Sequence, residues 1–534
     1  MRPTLRALTL AAALLVPTLT PVAASAQVDA DAPRAVPSSG VRFTADDGAL
    51  LEVSGVANAR RFLGTVELLP RRGGVDVVNE LPFDDYLLGL AEVPRSWPEA
   101  VLDAQVIAAR TYAWRSIRRG TFRDFDICAT VACQVFRGAE VLLAPGGDRW
   151  RAAVERTRGR ALVADGEPIL ARYFSTSGGR TYANEEVFDS SGAFDYLTAI
   201  ADPFDALSPL HRWEVRFTRA EFDAILAEGR TLSATVPSAD VERLGAADDP
   251  QAEVRVTGQD GTAVTVRAIV LRDFVSSTAQ RLFPDRFPPL RADGRARLPS
   301  TIPTTRFDVE VTDDAVVLHG LGWGHGVGMG QWGAHGRALA GHSADEILAA
   351  YYGGLTPVVD PALPGTIRAG MGAADLDAGP VEVRLTTPTR VTTVGGAAWS
   401  TSLGTWRIAA DGRRLAVIPP RGDGEPLALT PTRAFPGVTW GPGRTPGSVH
   451  PGSSDATDLR ITTNKPVLLR LEVTAADGRT VRTDDLGLVE AGAHWIRWFH
   501  DTAGGARVPA GRYEVRLVGV DGEGDEAGEA TTVV

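Results

Sequence analysis

Asn79-Glu80-Leu81-Pro82-Phe83-Asp84-Asp85-Tyr86-Leu87-Leu88-Gly89-Leu90-Ala91-Glu92-Val93-Pro94 leads straight into Ser96-Trp97-Pro98-Glu99 and a long apolar-periodic stretch. Ser96 and Glu99 have the spacing of a capping box, with Pro98 in the first turn, where its missing N–H costs nothing. Leu102, Val106, Ala109 and Ala113 then recur at i, i+4, i+7 and i+11. That spacing predicts a helix with one buried stripe through about Ile117. Upstream, residues 41–82 alternate, as in Thr65-Val66-Glu67-Leu68-Leu69 and Val75-Asp76-Val77-Val78, with Gly73-Gly74 as a turn between strands.

Working outward, mixed segments fill residues 135–310, including a strand at Glu253–Thr257, a turn at Gly258–Gly261 and a partner strand at Ala263–Val270. A second capping box, Ser343 with Glu346, starts a helix carrying Ile347, Leu348, Tyr351 and Tyr352, and Gly353-Gly354 ends it. This is an α+β pattern. Beyond residue 360 helical periodicity disappears. A β-rich extension is expected over 359–435, a Pro/Gly/Ser/Thr linker over 436–456, and over 457–534 a small all-β sandwich with a turn at Asp477-Gly478.

At the other end, Arg2 and Arg6 precede an apolar run interrupted by Pro17 and Pro21, then Ala24-Ser25-Ala26. This is the pattern of a secretory signal peptide cleaved after Ala26, too short and broken for a spanning helix. Residues 27–40 follow as a polar tether, and no later segment reads as transmembrane. With 534 residues the chain is too long for one core, and its 44% hydrophobic content is that of a folded protein. The net charge of −11, without a Lys/Arg cluster, argues against nucleic acid as a partner.

Three features carry candidate chemistry. Glu92 lies in an irregular turn among Leu90, Val93 and Trp97, where apolar surroundings could raise its pKa for general acid work; an exposed turn carboxylate is the alternative. Gln105 and Arg110 interrupt the apolar helix, but at five residues apart they point about 140° away from each other. Arg110 could clamp a substrate carboxylate, or hold Asp103 or a backbone carbonyl in a structural network. Gly320-Leu321-Gly322-Trp323-Gly324-His325-Gly326-Val327-Gly328-Met329-Gly330-Gln331-Trp332-Gly333 has glycine at every second position through Gly330, letting the backbone approach a ligand or another strand closely. His325 in its centre is either a core histidine or a functional one. No phosphate-loop pattern is matched.

The blocks Val77-Val78-Asn79 to Tyr86-Leu87-Leu88-Gly89, Glu92-Val93-Pro94, Trp97-Pro98-Glu99-Ala100, Ala104-Gln105 to Arg110-Thr111-Tyr112, Cys133-Gln134-Val135-Phe136-Arg137-Gly138, Ser177-Gly178-Gly179-Arg180-Thr181, Gly324-His325-Gly326-Val327-Gly328-Met329 with Gln331, and Ile347-Leu348-Tyr351-Tyr352-Gly353 resemble, in order, the SpoIID/LytB family signature across 41–358. The C-terminal Gly492-Ala493-His494-Trp495 and Val508-Pro509-Ala510-Gly511-Arg512-Tyr513 resemble the FlgD immunoglobulin-like module. The first resemblance implies an exported, wall-associated protein whose partners are peptidoglycan glycan strands. SpoIID-type members are lytic transglycosylases on glycan stripped of stem peptides, and LytB-type members stimulate an amidase. It places the catalytic acid at Glu92, with one carboxyl cycling between acid and base and no cofactor required. Gln105, Arg110, Gln134, Ser177, His325, Gln331 and Tyr351 are then candidates for the substrate groove.

Two departures from the family pattern matter. Some sporulation members hold a structural zinc near Cys133, often with His immediately before it, whereas here Ala132 takes that place and all eight histidines, His211 to His500, lie far downstream. Cys128 and Cys133 are therefore expected to form a local disulfide, with no metal. Gly330 stands where Ser is usual. The resemblance leaves two functional readings, a glycan-cleaving enzyme and a non-catalytic wall-binding activator of an amidase.

Overall fold

The computed structural model describes residues 36–527 apart from 47, 58, 189–191, 289–300, 395–397, 412, 421–428, 437, 440–449, 452–455, 510–511 and 522–525. The expected signal peptide, the tether up to residue 35 and most of the 436–456 linker lie outside the described residues. Among the described residues, no helix is long and apolar enough to cross a membrane.

The alternation in the N-terminal region becomes β1 (Val36–Ser38), β2 (Val41–Ala45), β3 (Thr65–Arg71) and β4 (Gly74–Pro82). β3 and β4 form a hairpin in which Leu68 faces Val77, turning at Gly73 with φ 73°. Their remaining partners come from far along the chain: β5 (Ile127–Cys128), β6 (Thr366–Asp375), β7 (Val381–Thr393), β8 (Ala398–Asp411) and β9 (Arg414–Ile418). The sheet order is β1-β9-β8-β7-β2-β3-β4-β6-β5, with short strands Leu51–Val53 and Arg61–Phe62 attached at β7. Residues 366–418, expected to belong to a separate extension, therefore complete the first sheet, and the tether contributes β1. A period of two reports which face of a strand is buried but not which strand lies beside it.

The long helix spans Glu99–Arg119 and ends at Gly120 in the left-handed conformation. The Ser96/Glu99 capping box does not form. Pro98 is the N-cap, and its carbonyl accepts from the N–H groups of Val101 and Leu102 at 3.0 and 3.2 Å. The helix is also more deeply embedded than one stripe implies: Ala104, Gln105, Val106, Ile107, Ala108, Ala109 and Arg110 are all buried, the small alanines letting neighbours close in on several faces. The second box does form, with Ser343 Oγ accepting from the Glu346 N–H and Glu346 Oε2 accepting from the Ser343 N–H, and it starts the Ala344–Tyr351 helix.

Among the described residues of 41–418 there are two hydrophobic cores. The first gathers the sheet, the long helix and the Gln331–Leu339 and Ala344–Tyr351 helices around Val106, Tyr86, Trp150 and Tyr352. The second, around Phe217, Phe222, Val256 and Leu271, belongs to a lobe inserted between residues 210 and 321. In that lobe Glu253–Gly258 pairs with Ala263–Arg267, but Ala268–Val270, expected to continue the strand, opens a helix to Leu282. The C-terminal unit is a sandwich of two antiparallel sheets closed over Leu469, Leu471, Trp498 and Leu517. Strand Leu429–Pro436, which precedes the linker, pairs with Thr457–Thr463 and so belongs to this sandwich.

Candidate active site

The chain around Glu92 is held by a second segment. Leu90 bridges Phe136, the Ala91 N–H donates to the Val135 carbonyl at 2.9 Å, and the Val135 N–H donates to Glu92 Oε1 at 2.6 Å. Val135 is fixed from behind by the Cys128–Cys133 disulfide, which closes the loop leading to it and ties it to β5.

The same carboxylate oxygen receives the Tyr173 hydroxyl at 3.1 Å. The proton direction is determined by Gln134, which is buried and uses both ends of its amide. Its Nε2 donates to the Ala109 carbonyl at 3.2 Å and to the Tyr173 oxygen at 3.0 Å, and its Oε1 accepts from the Tyr86 hydroxyl at 2.8 Å. Flipping the amide would set its oxygen against the Ala109 carbonyl, so only one orientation satisfies the group. Because Tyr173 accepts from Gln134, its own proton goes to Glu92. Burial pushes the Glu92 carboxyl above the ordinary carboxylate range, while the Val135 N–H, the Tyr173 hydroxyl and the Arg137 charge pull it back. The phenols of Tyr86 and Tyr173 are pushed well up, first by burial and then by the Glu92 charge, so both stay protonated donors.

Gln105 and Gln331 form a second contact on the same side of the long helix, with Gln331 Nε2 donating to Gln105 Oε1 at 3.2 Å. Gln105 Nε2 is buried without a partner among the described residues. Next to this pair, Trp97 packs against Trp332 and stacks on His335, with ring centroids 5.0 and 4.5 Å apart.

Arg110 does not join these groups. It leaves the helix on another face, is fully buried, and donates to the carbonyls of Thr157 and Arg160 and to Asp84. The structural alternative for Arg110 therefore describes its surroundings, except that its acidic partner is Asp84; Asp103 is engaged by Arg156.

Ser177 and Tyr351 meet in a third cluster. Tyr351 donates to Asp202 Oδ2 at 2.8 Å, and Ser177 and the Asp205 charge also bear on that buried carboxyl, which burial pushes upward. His325 packs between Phe174 and Phe188, and its Nδ1 accepts from the Val327 N–H at 3.1 Å, leaving its proton on Nε2. Burial, with the Arg172 charge, pushes its pKa down to about 3, so it is a neutral imidazole behind the Tyr173–Phe174 strand.

The alternating glycines serve that same strand region. A Cβ on Gly326 would sit 2.6 Å from the Tyr182 ring, and one on Gly328 would sit 2.2 Å from the Arg172 carbonyl; both residues have positive φ. The close approach they permit is to another stretch of chain.

Tyr173 and Asp202 escaped the sequence reading, since neither lies in a patterned block. Tyr86 lay inside one, and its block was the available signal. Among the described residues no group of three or more His, Cys, Asp or Glu is placed to hold a metal ion.

Residues 71–163 match the stage II sporulation protein (SpoIID) family, and residues 449–523 match the FlgD Ig-like domain. An uncharacterized protein of Brachyspira hyodysenteriae is 30% identical over 326 residues, covering 59% of this chain and 76% of the relative. The stage II sporulation protein D of Bacillus subtilis is 27% identical, covering 52% of this chain and 74% of that protein. The amidase enhancer of Bacillus subtilis is 29% identical over 50% of this chain, which spans only 39% of that relative's length. With its blocks in order around Glu92, the chain belongs to the family of stage II sporulation protein D and the amidase enhancer, and it carries a FlgD Ig-like domain at its C-terminus.

Proposed function

We propose that this cell-wall-related protein is exported and acts as a lytic transglycosylase on peptidoglycan glycan stripped of stem peptides, with Glu92 as its single acid/base. The observation that carries the reading is the Glu92 carboxyl itself. It is desolvated enough to retain its proton above the usual carboxylate range, yet two aligned donors stabilise its anion once the proton has left. That balance suits a group that must donate and then accept.

In the proposed reaction Glu92 protonates the glycosidic oxygen and the bond to the muramoyl C1 breaks. The muramoyl 6-hydroxyl then attacks C1, and its proton returns to Glu92, leaving a 1,6-anhydro end with no water consumed. A second carboxylate, as in ordinary glycosidases, is not needed. Incubating the purified chain with stem-peptide-free glycan and weighing the products tests this: anhydro ends support it, and reducing ends alone contradict it.

The second reading, an activator of an N-acetylmuramoyl-L-alanine amidase, is favoured by the similarity to the amidase enhancer. Stimulation of an amidase that survives Glu92→Gln would support it.

A further inference from the structure

The last two turns of the long helix carry Arg115, Arg118 and Arg119, which with Ile117 and Glu167 line an open cavity of about 500 Å³. Glu167 is committed to Arg118 at 2.6 Å, and Arg115 donates to the Pro168 carbonyl at 3.1 Å. Arg119 is exposed and makes no hydrogen bond or ion pair among the described residues. A second guanidinium, that of Arg172, lies close enough to Arg119 for the two charges to oppose each other. Arg172 is held in place by Asn184 at 3.1 Å and by stacking at 3.7 Å over the Phe188 ring.

A basic last turn alone would follow from the helix dipole. That explanation does not reach Arg172, which comes from another segment, or Arg115, a turn earlier. In a chain of net charge −11, Arg115, Arg118 and Arg119 line this cavity with one carboxylate, Glu167, that is already paired, and Arg172 stands beside it within electrostatic reach of Arg119.

This cationic cleft is coupled in space to Glu92. Tyr112 lies one to two turns before Arg115 and Arg119 on the same helix, its ring centroid is 6.5 Å from that of Tyr173, and it feels the charges of Arg172, Arg119 and Glu92 together. Tyr173 in turn touches Glu92.

We propose that Arg119 and Arg172, beside Tyr112, bind the free lactyl carboxylate that a muramoyl residue exposes once its stem peptide has been removed. The proposal rests on the glycan reading above and adds to it the basis of substrate choice. In intact peptidoglycan that lactyl group is an amide, uncharged and extended by a peptide; hydrolysis of the amide leaves a carboxylate and frees the peptide amine. An amide-hydrolysing step must therefore supply the substrate. Paired guanidinium groups suit a carboxylate and not an amide.

The test uses the full chain carrying Glu92→Gln, so that ligands are bound without being cleaved, and calorimetric titration with two oligosaccharides of equal length. One contains alternating N-acetylglucosamine and peptide-free N-acetylmuramic acid; the other contains N-acetylglucosamine alone. The muramoyl oligomer is expected to bind roughly tenfold tighter, as a charge-assisted contact provides. Adding Arg119→Ala should collapse the preference to about twofold or less, Arg119→Lys should restore part of it, and added salt should weaken it. Equal binding of the two oligomers, or a preference untouched by Arg119→Ala, would overturn the cleft assignment while leaving the glycan reading standing. Failure to bind either oligomer would overturn both. Tighter binding of a glycerol phosphate oligomer than of the muramoyl one would reassign the cleft to a phosphate polymer.

Discussion

Cys133 is bonded to Cys128, and two residues later the Val135 N–H reaches Glu92 Oε1 at 2.6 Å. The disulfide thus anchors one of the two donors that hold the carboxyl. Closing so short a loop stabilises the fold by about 2 kcal/mol in the chain-entropy description. Cys133→Ser is expected to lower the unfolding free energy by that amount and to loosen the Val135 donor, so that Glu92 titrates at still higher pH. Denaturant unfolding and a pH–rate profile on stripped glycan check the two parts; an unchanged profile would mean that the loop holds its place without the bridge.

Tyr173→Phe removes the other donor. With less stabilisation of the anion, the Glu92 pKa rises further. Since the proposed reaction begins from protonated Glu92, activity is expected to fall as pH rises through that pKa, and the variant's falling limb should lie at higher pH than that of the wild type. Movement toward lower pH would show that Tyr173 does not donate to the carboxylate.

Gly333 is packed where no side chain fits. A Cβ there would lie 2.0 Å from the Tyr351 hydroxyl and 2.3 Å from Asp202 Oδ2. Gly333→Ala should destabilise the fold by roughly 1–3 kcal/mol through overpacking. Gly330 differs: its φ of −76° is ordinary, and a Cβ would lie 3.2 Å from Asp202 Oδ2. Gly330→Ser is expected to fold with a loss well below that of Gly333→Ala, its hydroxyl placed beside the Asp202 carboxyl. Thermal melts of the two variants side by side test the contrast.

Truncation should also discriminate between boundaries. Ending the chain at residue 455 removes the strand that pairs with Leu429–Pro436 and leaves its backbone groups unpaired, whereas ending at residue 420 removes the sandwich whole and keeps β9. The shorter product is expected to be the more soluble and to melt cooperatively. If the chain ending at 455 behaves as well, Leu429–Pro436 does not depend on the sandwich.

Local features were the legible ones. The β3–β4 hairpin, the long helix and the Ser343/Glu346 cap each depend on residues close in sequence, so periodicity and spacing were enough to find them. The pairing of β4 with β6 joins residues 284 (Thr366 with Pro82) to 301 (Asp375 with Gly74) positions apart, and no local pattern encodes it. The Ser96/Glu99 box failed because Pro98, with its fixed φ, took the N-cap itself. At the site, Glu92 and Gln134 stood in recognisable blocks, but their connection runs through Tyr173, whose role exists only after distant segments fold together. Arg110 is the reverse case, conspicuous in sequence for its charge and fully enclosed in structure.

The proposed chemistry depends most on the Glu92 proton. Glu92→Gln keeps an oxygen for the Val135 and Tyr173 donors but cannot deliver that proton. Its folded stability should equal or exceed that of wild type at neutral pH, because a carboxyl whose folded pKa is raised loses stability as pH rises through that value. The decisive measurement is the initial rate of anhydro-muramoyl product formation from stem-peptide-free glycan, wild type against Glu92→Gln, at matched folded concentration. A loss of about 10²- to 10⁴-fold is expected if Glu92 is the acid. Equal rates would contradict it, and would pass the function to the amidase-activating reading.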